Sequence, residues 1–502
     1  MSSQYRRRQQ EKEREAKNQT GTDSDSSDVE IDTNERKRQE RAAFYSNSVR
    51  LWKERKLRRP APKNARQIRF RCSLTNVIYD VFKAKGYKET TSETDWDIYW
   101  APRDWIRCVY DKVRLDAHQR VNHYRNYYEL TRKDLMLKNL KRAKRQLYKE
   151  GRIEESQQWD FFPETFALPS EYLLFVEIFK SKPGIQWIMK PIGRCQGKGI
   201  FLFNKLSDIA EWKSENRPSS ESQGAEKYVV QQYIDNPLLV GGKKFDMRLY
   251  VLVSSYAPLT VYMYREGFCR FTTTRYTMDK NDLDNMETHL TNVAIQKKAA
   301  GYDSETGGKW DVRRLKLYLT KKYGKDRVNT LFCEIQLVVL RSLMSVQKVM
   351  INDRNSFALY GYDILLDDAL KVWLVEINAC PSLTASTPQD HAMKFAMLSD
   401  ALTIVNMDGR MTGEEEQVGG FDLIYRNGFV KFDPHCIFTT FLGCGNDRDK
   451  QLRDLAKATA RRKLQEARKE RERLEKEREG QERKEAKEAR ESSNLPKLPS
   501  HR

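Results

Sequence analysis

Residues 360–382, YGYDILLDDALKVWLVEINACPS, decide how the rest of this 502-residue chain reads. Two apolar segments of strand length flank the polar pair Asp367-Asp368, which is the pattern of a β-hairpin. Side chains alternate between faces along a strand. Glu376 and Asn378, two apart, therefore leave the same face, and Asp363 on the partner strand can lie beside them. Two carboxylates and a carboxamide at one point are oxygen donors, too few for a closed protein cage. They suit Mg²⁺ that completes its octahedron with water and nucleotide phosphates. Taken alone, the stretch also reads as a half-exposed hairpin whose acids face water.

Upstream, QWIMKPIGRCQGKGIFLF (186–203) has a strand carrying Lys190, a glycine-rich loop and a second strand. Gly193, Gly197 and Gly199 around Lys198 can fold backbone N–H groups over phosphates. It is not a Walker A loop. Three residues instead of four separate Gly193 from Gly197, Gly199 stands where Ser or Thr would meet magnesium, and a strand follows where Walker A has a helix. The expectation is a flexible hairpin lid. KYVVQQYIDNPLLV (227–240) predicts a buried strand running out at Asn236-Pro237, with Gln231, Gln232, Tyr233 and Ile234 able to present backbone groups to an adenine edge. In GGKKFDMRLYVLV (241–253), Asp246 and Arg248 leave one face of an apolar strand, where burial without partners is costly. A phosphate or metal beside them and a self-satisfied Asp–Arg pair account for this equally well. Arg265 and Arg270 follow on the next strand, and His289, Thr291 and Asn292 form a polar cluster.

The flanks differ from this middle. Residues 1–65 form a charged arm, expected to be mostly disordered, with a Ser/Asp patch at Thr22–Thr33. From Ile68, IRFRCS, NVIYDVFKAKGY and DWDIYWA read as strand, helix and strand, a small α/β module. The basic helix from Tyr127 reads as a solvated face in preference to an anionic-ligand groove. Between Asp311 and Met350 the pattern is helical, with a Met/Val stripe that reads as core. Residues 451–490 are nearly all Arg, Lys, Glu, Gln and Ala. Pairs such as Glu472–Lys476 predict a solvated single helix, too poor in apolar residues for a coiled coil. The divisions are thus 1–65, 66–185 (N-terminal and central α/β region), 186–410 (catalytic region), 411–450 (extension) and 451–502 (basic tail).

The net charge of +20 points to an acidic partner: nucleic acid, an anionic membrane surface or an acidic protein tail. No aromatic platform or nucleic-acid module accompanies the basic tails, so no nucleic-acid partner is expected. The eight cysteines show no zinc spacing and read as reduced thiols. The N-terminus has no apolar h-region and no run approaches a membrane span, so an intracellular, soluble protein is expected.

The order of these pieces resembles the ATP-grasp arrangement, an α+β core holding nucleotide between two lobes. KPIGRCQGKGI, NPLLVGGKKFDMRLYVLV, HLTNVAIQ, GGKW and YGYDILLDDALKVWLVEINACPSLTAS resemble the tubulin tyrosine ligase-like family over about residues 68–408. RMTGEEEQVGGFDLI and FLGCGNDRDKQLR resemble its polyglutamylase branch. The resemblance implies ATP and Mg²⁺ as cofactors. By position it implies nucleotide binding at Lys190, Gln196, Gly197, Gln231, Gln232, Tyr233, Ile234, Lys244, Asp246, Thr291 and Asn292. It implies free glutamate at Arg270 and Lys309, magnesium at Asp363, Glu376 and Asn378, and a basic residue beside the phosphates at Arg248. Arg248 and Glu376 are the catalytic candidates. Arg194 and Cys195, ahead of Gln196, depart from the pattern.

The implied reaction adds L-glutamate through an isopeptide bond to glutamate γ-carboxyls in tubulin C-terminal tails, via an acyl-phosphate. Tubulin and microtubules, accessory subunits, the cytoskeleton and a cilium or flagellum belong to the same expectation. The alternatives are a glycylase or tyrosine ligase of the same fold and a non-catalytic axonemal microtubule-binding protein. Two cations at Arg270 and Lys309 suit glutamate better than glycine, and a vestigial core has no need of the complete acid set.

Overall fold

The computed structural model describes residues 67–193, 197–209, 227–279, 282–303, 308–430, 440–445 and 447–493, with a few helical positions between 39 and 50. The charged arm and its Ser/Asp patch fall almost wholly outside the described residues, as do Arg194, Cys195 and Gln196.

The unit read from Ile68 forms as β1 (Arg69–Cys72), α1 (Val77–Ala84), β2 (Lys88–Glu89), β3 (Ile98–Trp100) and β4 (Arg120–Val121). Its strands are parallel, in the order β2-β1-β3-β4. Asn76 starts α1 by accepting a hydrogen bond from Ile78 N at 3.2 Å. Val77, Ile78, Val81 and Phe82 then recur at helical spacing and make its buried face.

The basic stretch after Tyr127 is not one helix. Arg132 takes an extended backbone, so a turn at Tyr128–Thr131 precedes α2 (Lys133–Lys149). Then come β5 (Thr165–Leu168), α3 (Tyr172–Ser181), β6 (Trp187–Pro191), β7 (Phe201–Phe203) and β8 (Tyr228–Gln232), an antiparallel sheet ordered β5-β8-β6-β7. The glycine-rich segment therefore connects a hairpin, β6–β7. β8 ends at Gln232, short of Asn236-Pro237, because Gln232 already faces the first residue of its partner β6; one further bond, Tyr233 N to Gln186 O at 2.9 Å, ends the ladder.

An eight-stranded antiparallel sheet carries the rest: β9 (Leu239–Val240), β10 (Lys243–Tyr256), β11 (Leu259–Phe271), β12 (Lys309–Asp311), β13 (Ala358–Leu366), β14 (Val372–Asn378), β15 (Gln417–Val418) and β16 (Phe421–Arg426). Its spine runs β14-β13-β10-β11-β16-β15, with β9 on β10 and β12 on β11. β13 and β14 are the hairpin read from the sequence, and Asp367 shapes their turn by accepting from Ala369 N and Lys371 N. Helices α4 (Val312–Tyr323), α5 (Lys325–Gln347), α6 (Pro388–Val405) and α7 (Arg448–Ser493) complete the chain. Toward the β15 end of the sheet, Arg265 of β11 and Asp422 of β16 make a buried bidentate pair, both N–O distances being 2.6 Å.

Alternation along β10 sorts the two faces of this sheet. Met247, Leu249, Val251 and Val253 pack with Leu315 of α4 and Ile335 and Val339 of α5, so the stripe on α5 is core, as read. Tyr250 and Leu252 pack with Phe82 of α1 and with Met397 and Leu402 of α6. Asp246 and Arg248 share the parity of Tyr250 and so lie on this second face, at the polar end of the strand.

One expectation needs correction. α5 is long and apolar enough by length and composition to cross a membrane, although the sequence reading found no such run; 61% of that window is buried inside the protein, where it covers the sheet. None of the six described cysteines forms a disulfide. α7 is anchored near its start, where Leu455 joins the second core, Thr459 Oγ1 donates to Arg410 O at 3.2 Å and Arg462 Nη2 donates to Gly409 O at 3.4 Å. Farther along, ion pairs at four-residue spacing line it, as between Arg468 and Glu472.

Candidate active site

Cross-strand register assembles the site. Asp246 on β10 faces Arg270 on β11, and β12 sets Lys309 beyond Arg270. On the other side of β10, Arg248 faces Asp363 on β13, and β14 sets Glu376 beyond Asp363 and Asn378 opposite Gly361. An extra residue, Val375, stands in β14 between the Asp363–Glu376 and Ile364–Leu374 pairs, a bulge of the kind that re-aims side chains.

The Asp246/Arg248 question resolves into a crossed arrangement. Neither bonds the other. Arg248 Nε and Nη2 donate to Asp363 Oδ1 and Oδ2 at 2.6 and 3.0 Å. Arg270 binds Asp246 through Nε at 2.8 Å and also through Nη2, which reaches Asp363 Oδ2 at 2.9 Å. All four side chains are buried. Burial works to raise the Asp363 carboxyl, but two guanidiniums outweigh it and hold the group well below the carboxylate range. Asp246 has one guanidinium, and burial pushes its carboxyl up. The hairpin trio lies together: Asn378 Nδ2 is 3.4 Å from Asp363 Oδ2 and 3.3 Å from Glu376 Oε1. Among the described residues, no group of three or more His, Cys, Asp and Glu side chains is arranged to hold a metal.

These residues line a cleft of about 780 Å³ between the β6–β7 hairpin and the end of the central sheet. Every site residue expected from the sequence lines it except Gln196, which lies outside the described residues. Lys190 Nζ donates to Gln231 Oε1 at 2.7 Å, and Gln231 Nε2 donates to Thr165 Oγ1 at 2.9 Å. Lys244 Nζ donates to the Tyr233 hydroxyl at 2.8 Å, which lies 3.0 Å from His289 Nδ1. Burial, then the charge of Lys133, brings the Lys190 ammonium down to about 8; burial, then Lys190, brings Lys244 down to about 7. Desolvated cations with too few counter-ions make a seat for a polyanion. Gly197 has φ +78°, and a Cβ there would stand 2.6 Å from Ile295 Cδ1. Glycine thus lets the chain at residue 197 pack against the segment after Asn292.

Sequence reading missed several side chains. Lys133, placed on a solvated helix face, instead lines the cleft with Nζ 3.3 Å from Glu376 Oε2. Lys309 is already engaged, donating to Ser386 Oγ at 2.8 Å and Asp390 Oδ2 at 3.0 Å, and Lys394 reaches the same carboxylate. The available signal was Thr387-Pro388-Gln389-Asp390, a helix start with a capping threonine and an acid in the first turn.

Comparison with known proteins matches residues 112–413 to the Tubulin-tyrosine ligase family. The probable tubulin polyglutamylase TTLL9 of Bos taurus is 46% identical over 426 residues, covering 77% of this chain and 92% of the relative. Probable tubulin polyglutamylase ttll-9 of Caenorhabditis elegans is 44% identical over 364 residues, covering 72% and 86%. Probable alpha-tubulin polyglutamylase Ttll1 of Tetrahymena thermophila is 44% identical over 372 residues, covering 70% and 90%. With the family model matching residues 112–413 and relatives of that identity covering most of both chains, the chain belongs to the tubulin-tyrosine ligase family.

Proposed function

We propose that this protein is an ATP-dependent tubulin polyglutamylase, joining free L-glutamate to the γ-carboxyl of glutamates in tubulin C-terminal tails. The observation that carries the reading is two cross-strand rows at the sheet end, Lys309–Arg270–Asp246 and Arg248–Asp363–Glu376, joined where Arg270 Nη2 reaches Asp363 Oδ2 at 2.9 Å. Cations suited to an amino-acid carboxylate, Lys309 and Arg270, stand beside the Arg248, Asp363 and Glu376 group suited to nucleotide phosphates. The relatives named as polyglutamylases support it.

In this reading the backbone of Gln231–Ile234 receives the adenine edge, with Thr291 and Asn292 opposite. Lys190, Lys244 and Arg248 face the phosphates. Asp363, Glu376 and Asn378 would hold Mg²⁺; two carboxylates already met by cations, plus one amide, fit an ion that arrives with nucleotide instead of a resident one. When bound it supplies positive charge at phosphate oxygens. The acceptor carboxylate takes the γ-phosphoryl group, giving an acyl-phosphate and ADP. The amine of free glutamate, oriented by Arg270 and Lys309, then attacks the acyl carbon. A C–N bond forms, the C–O bond to phosphate breaks, and the amine proton passes to solvent. Arg248 remains to offset charge developing on the transferred group. The excess of base in the chain draws in an acidic tail. Cytoskeletal association follows from this substrate, with the axoneme of a cilium or flagellum as its site.

The test is radiolabelled glutamate incorporation into microtubules, with ATP and magnesium, by full-length protein recovered from cells with any accessory subunits it carries. Label from the wild type and a loss of about 100-fold in Glu376→Gln is expected. Equal label from Glu376→Gln, or glycine incorporated in preference to glutamate, overturns the reading.

A further inference from the structure

Beyond β12 the floor of the cleft continues into the first turns of α6, where Asp390 and Lys394, neither used by the reaction above, meet Lys309. Thr387 Oγ1 accepts from Asp390 N at 3.1 Å, which fixes Asp390 in the first turn. Asp390 Oδ2 accepts from Ser386 N at 3.1 Å, Lys309 Nζ at 3.0 Å and Lys394 Nζ at 3.1 Å. Lys394 Nζ also donates to Thr384 O at 2.7 Å. Lys394 is 2% exposed, and both ammonium groups sit over the Phe268 ring, 4.5 Å and 5.9 Å from its centroid for Lys309 and Lys394. Burial opposes charge on Asp390, yet the two lysines hold its carboxyl below the ordinary range. Two cations share one anion.

The proportion matters for Lys309. Paired with Asp390 alone, it would present the cleft with a neutral ion pair. With Lys394 as second cation on the same carboxylate, one unit of positive charge stays uncancelled. An ammonium has three donors, and Ser386 and Asp390 take two from Lys309, so one is left for a ligand. We propose that Lys394 is a positioning residue for the incoming amino acid: acting through Asp390, it keeps Lys309 electrostatically unsatisfied toward the cleft, so that the site selects a ligand with a carboxylate at that point. The inference rests on the ligase reading and adds to it a residue that sets amino-acid affinity without touching nucleotide.

Steady-state kinetics with glutamate and ATP varied separately test it. Lys394→Met keeps the buried stem and removes the charge. It is expected to raise KM for glutamate about tenfold, leaving kcat and KM for ATP within about twofold. Lys394→Arg restores the wild-type value. The double variant Lys394→Met/Asp390→Asn removes cation and anion together and returns KM for glutamate to within about threefold of wild type. A purely structural role for Lys394 makes the double variant worse than the single one. If Lys394→Met fails to fold, Lys394→Gln, which removes the charge but keeps a donor for the Thr384 carbonyl, takes its place with the same expected rise in KM for glutamate. An unchanged glutamate KM, a parallel rise in KM for ATP, or a double variant no better than the single overturns the proposal while glutamate incorporation by the wild type leaves the ligase reading standing. Absence of incorporation by the wild type overturns both.

Discussion

Lys133 Nζ stands 3.3 Å from Glu376 Oε2, so the first turn of α2 closes on the acidic hairpin from the far side of the cleft. Both side chains keep contact with solvent, at 20% and 27% exposure, which makes the pair weak as a stabilising element and significant as a piece of the site. Lys133→Met should cost less than about 1 kcal/mol of stability. The same change should raise KM for ATP about tenfold. Thermal melting alongside ATP-dependent kinetics separates the two effects, and a large loss of melting temperature with normal ATP use would contradict the assignment.

The crossed ion pairs behave oppositely. Asp363→Asn leaves Arg248 and Arg270, both buried, with the single carboxylate of Asp246. The expected loss is about 3 kcal/mol, because the remaining guanidinium charge has no counter-ion and little water. Denaturant or thermal midpoints check this, and Arg248→Met added to Asp363→Asn should recover part of the loss.

Gly361 tests geometry without touching charge. A Cβ there would meet Pro381 Cβ at 2.8 Å and Arg248 Cδ at 3.2 Å. Gly361→Ala should therefore cost about 2 kcal/mol by overpacking. Activity should fall as well, since the strain falls on the stem of Arg248. Unchanged melting would show that the hairpin can part from Pro381 freely.

The buried lysines predict a pH dependence with a definite sign. Lys244 near 7 and Lys190 near 8 lose their protons well before unfolded lysines, which hold theirs to about pH 10. Between about pH 7 and 10 the unfolded chain binds more protons, so stability contributed by these groups rises with pH across that window. Below it both states carry the protons and the cost of burying charge is present in full. Phosphates favour the protonated forms. ATP affinity should consequently fall several-fold from about pH 6.5 to 8.5, and Lys244→Met should flatten the profile. Calorimetric titration at several pH values measures it.

Much of the site was legible because each strand carries its own message. Alternation placed Asp246 with Arg248 and Glu376 with Asn378, and a glycine-rich turn between two strands identified the β6–β7 hairpin. What stayed hidden depends on register between strands distant in sequence. Asp246 pairs with Arg270 and Arg248 with Asp363, a crossing that no spacing along β10 can show. Lys133 and Lys394 were hidden for other reasons: Lys133 sits on a lysine-rich helix where one more cation looks like solvated surface, and Lys394, the single lysine of α6, follows Asp390 by four residues and reads as an ordinary helical ion pair until Lys309 is laid beside it. β8 ended early because its partner begins there, a fact belonging to the pair and not to KYVVQQYIDNPLLV.

The family match stops at residue 413, but the sheet does not. β16 zips along residues 260–264 of β11, and Asp422 meets the Arg265 guanidinium with both oxygens. A fragment cut at residue 413 would take Asp422 from Arg265 and bare a run of unpaired N–H and C=O groups beside it. Such an open edge is a template on which a second copy can add a strand. Fragments ending near 413 are thus expected to self-associate, whereas one running at least through Arg426 keeps β11 paired and leaves the short β15 at the end of the sheet.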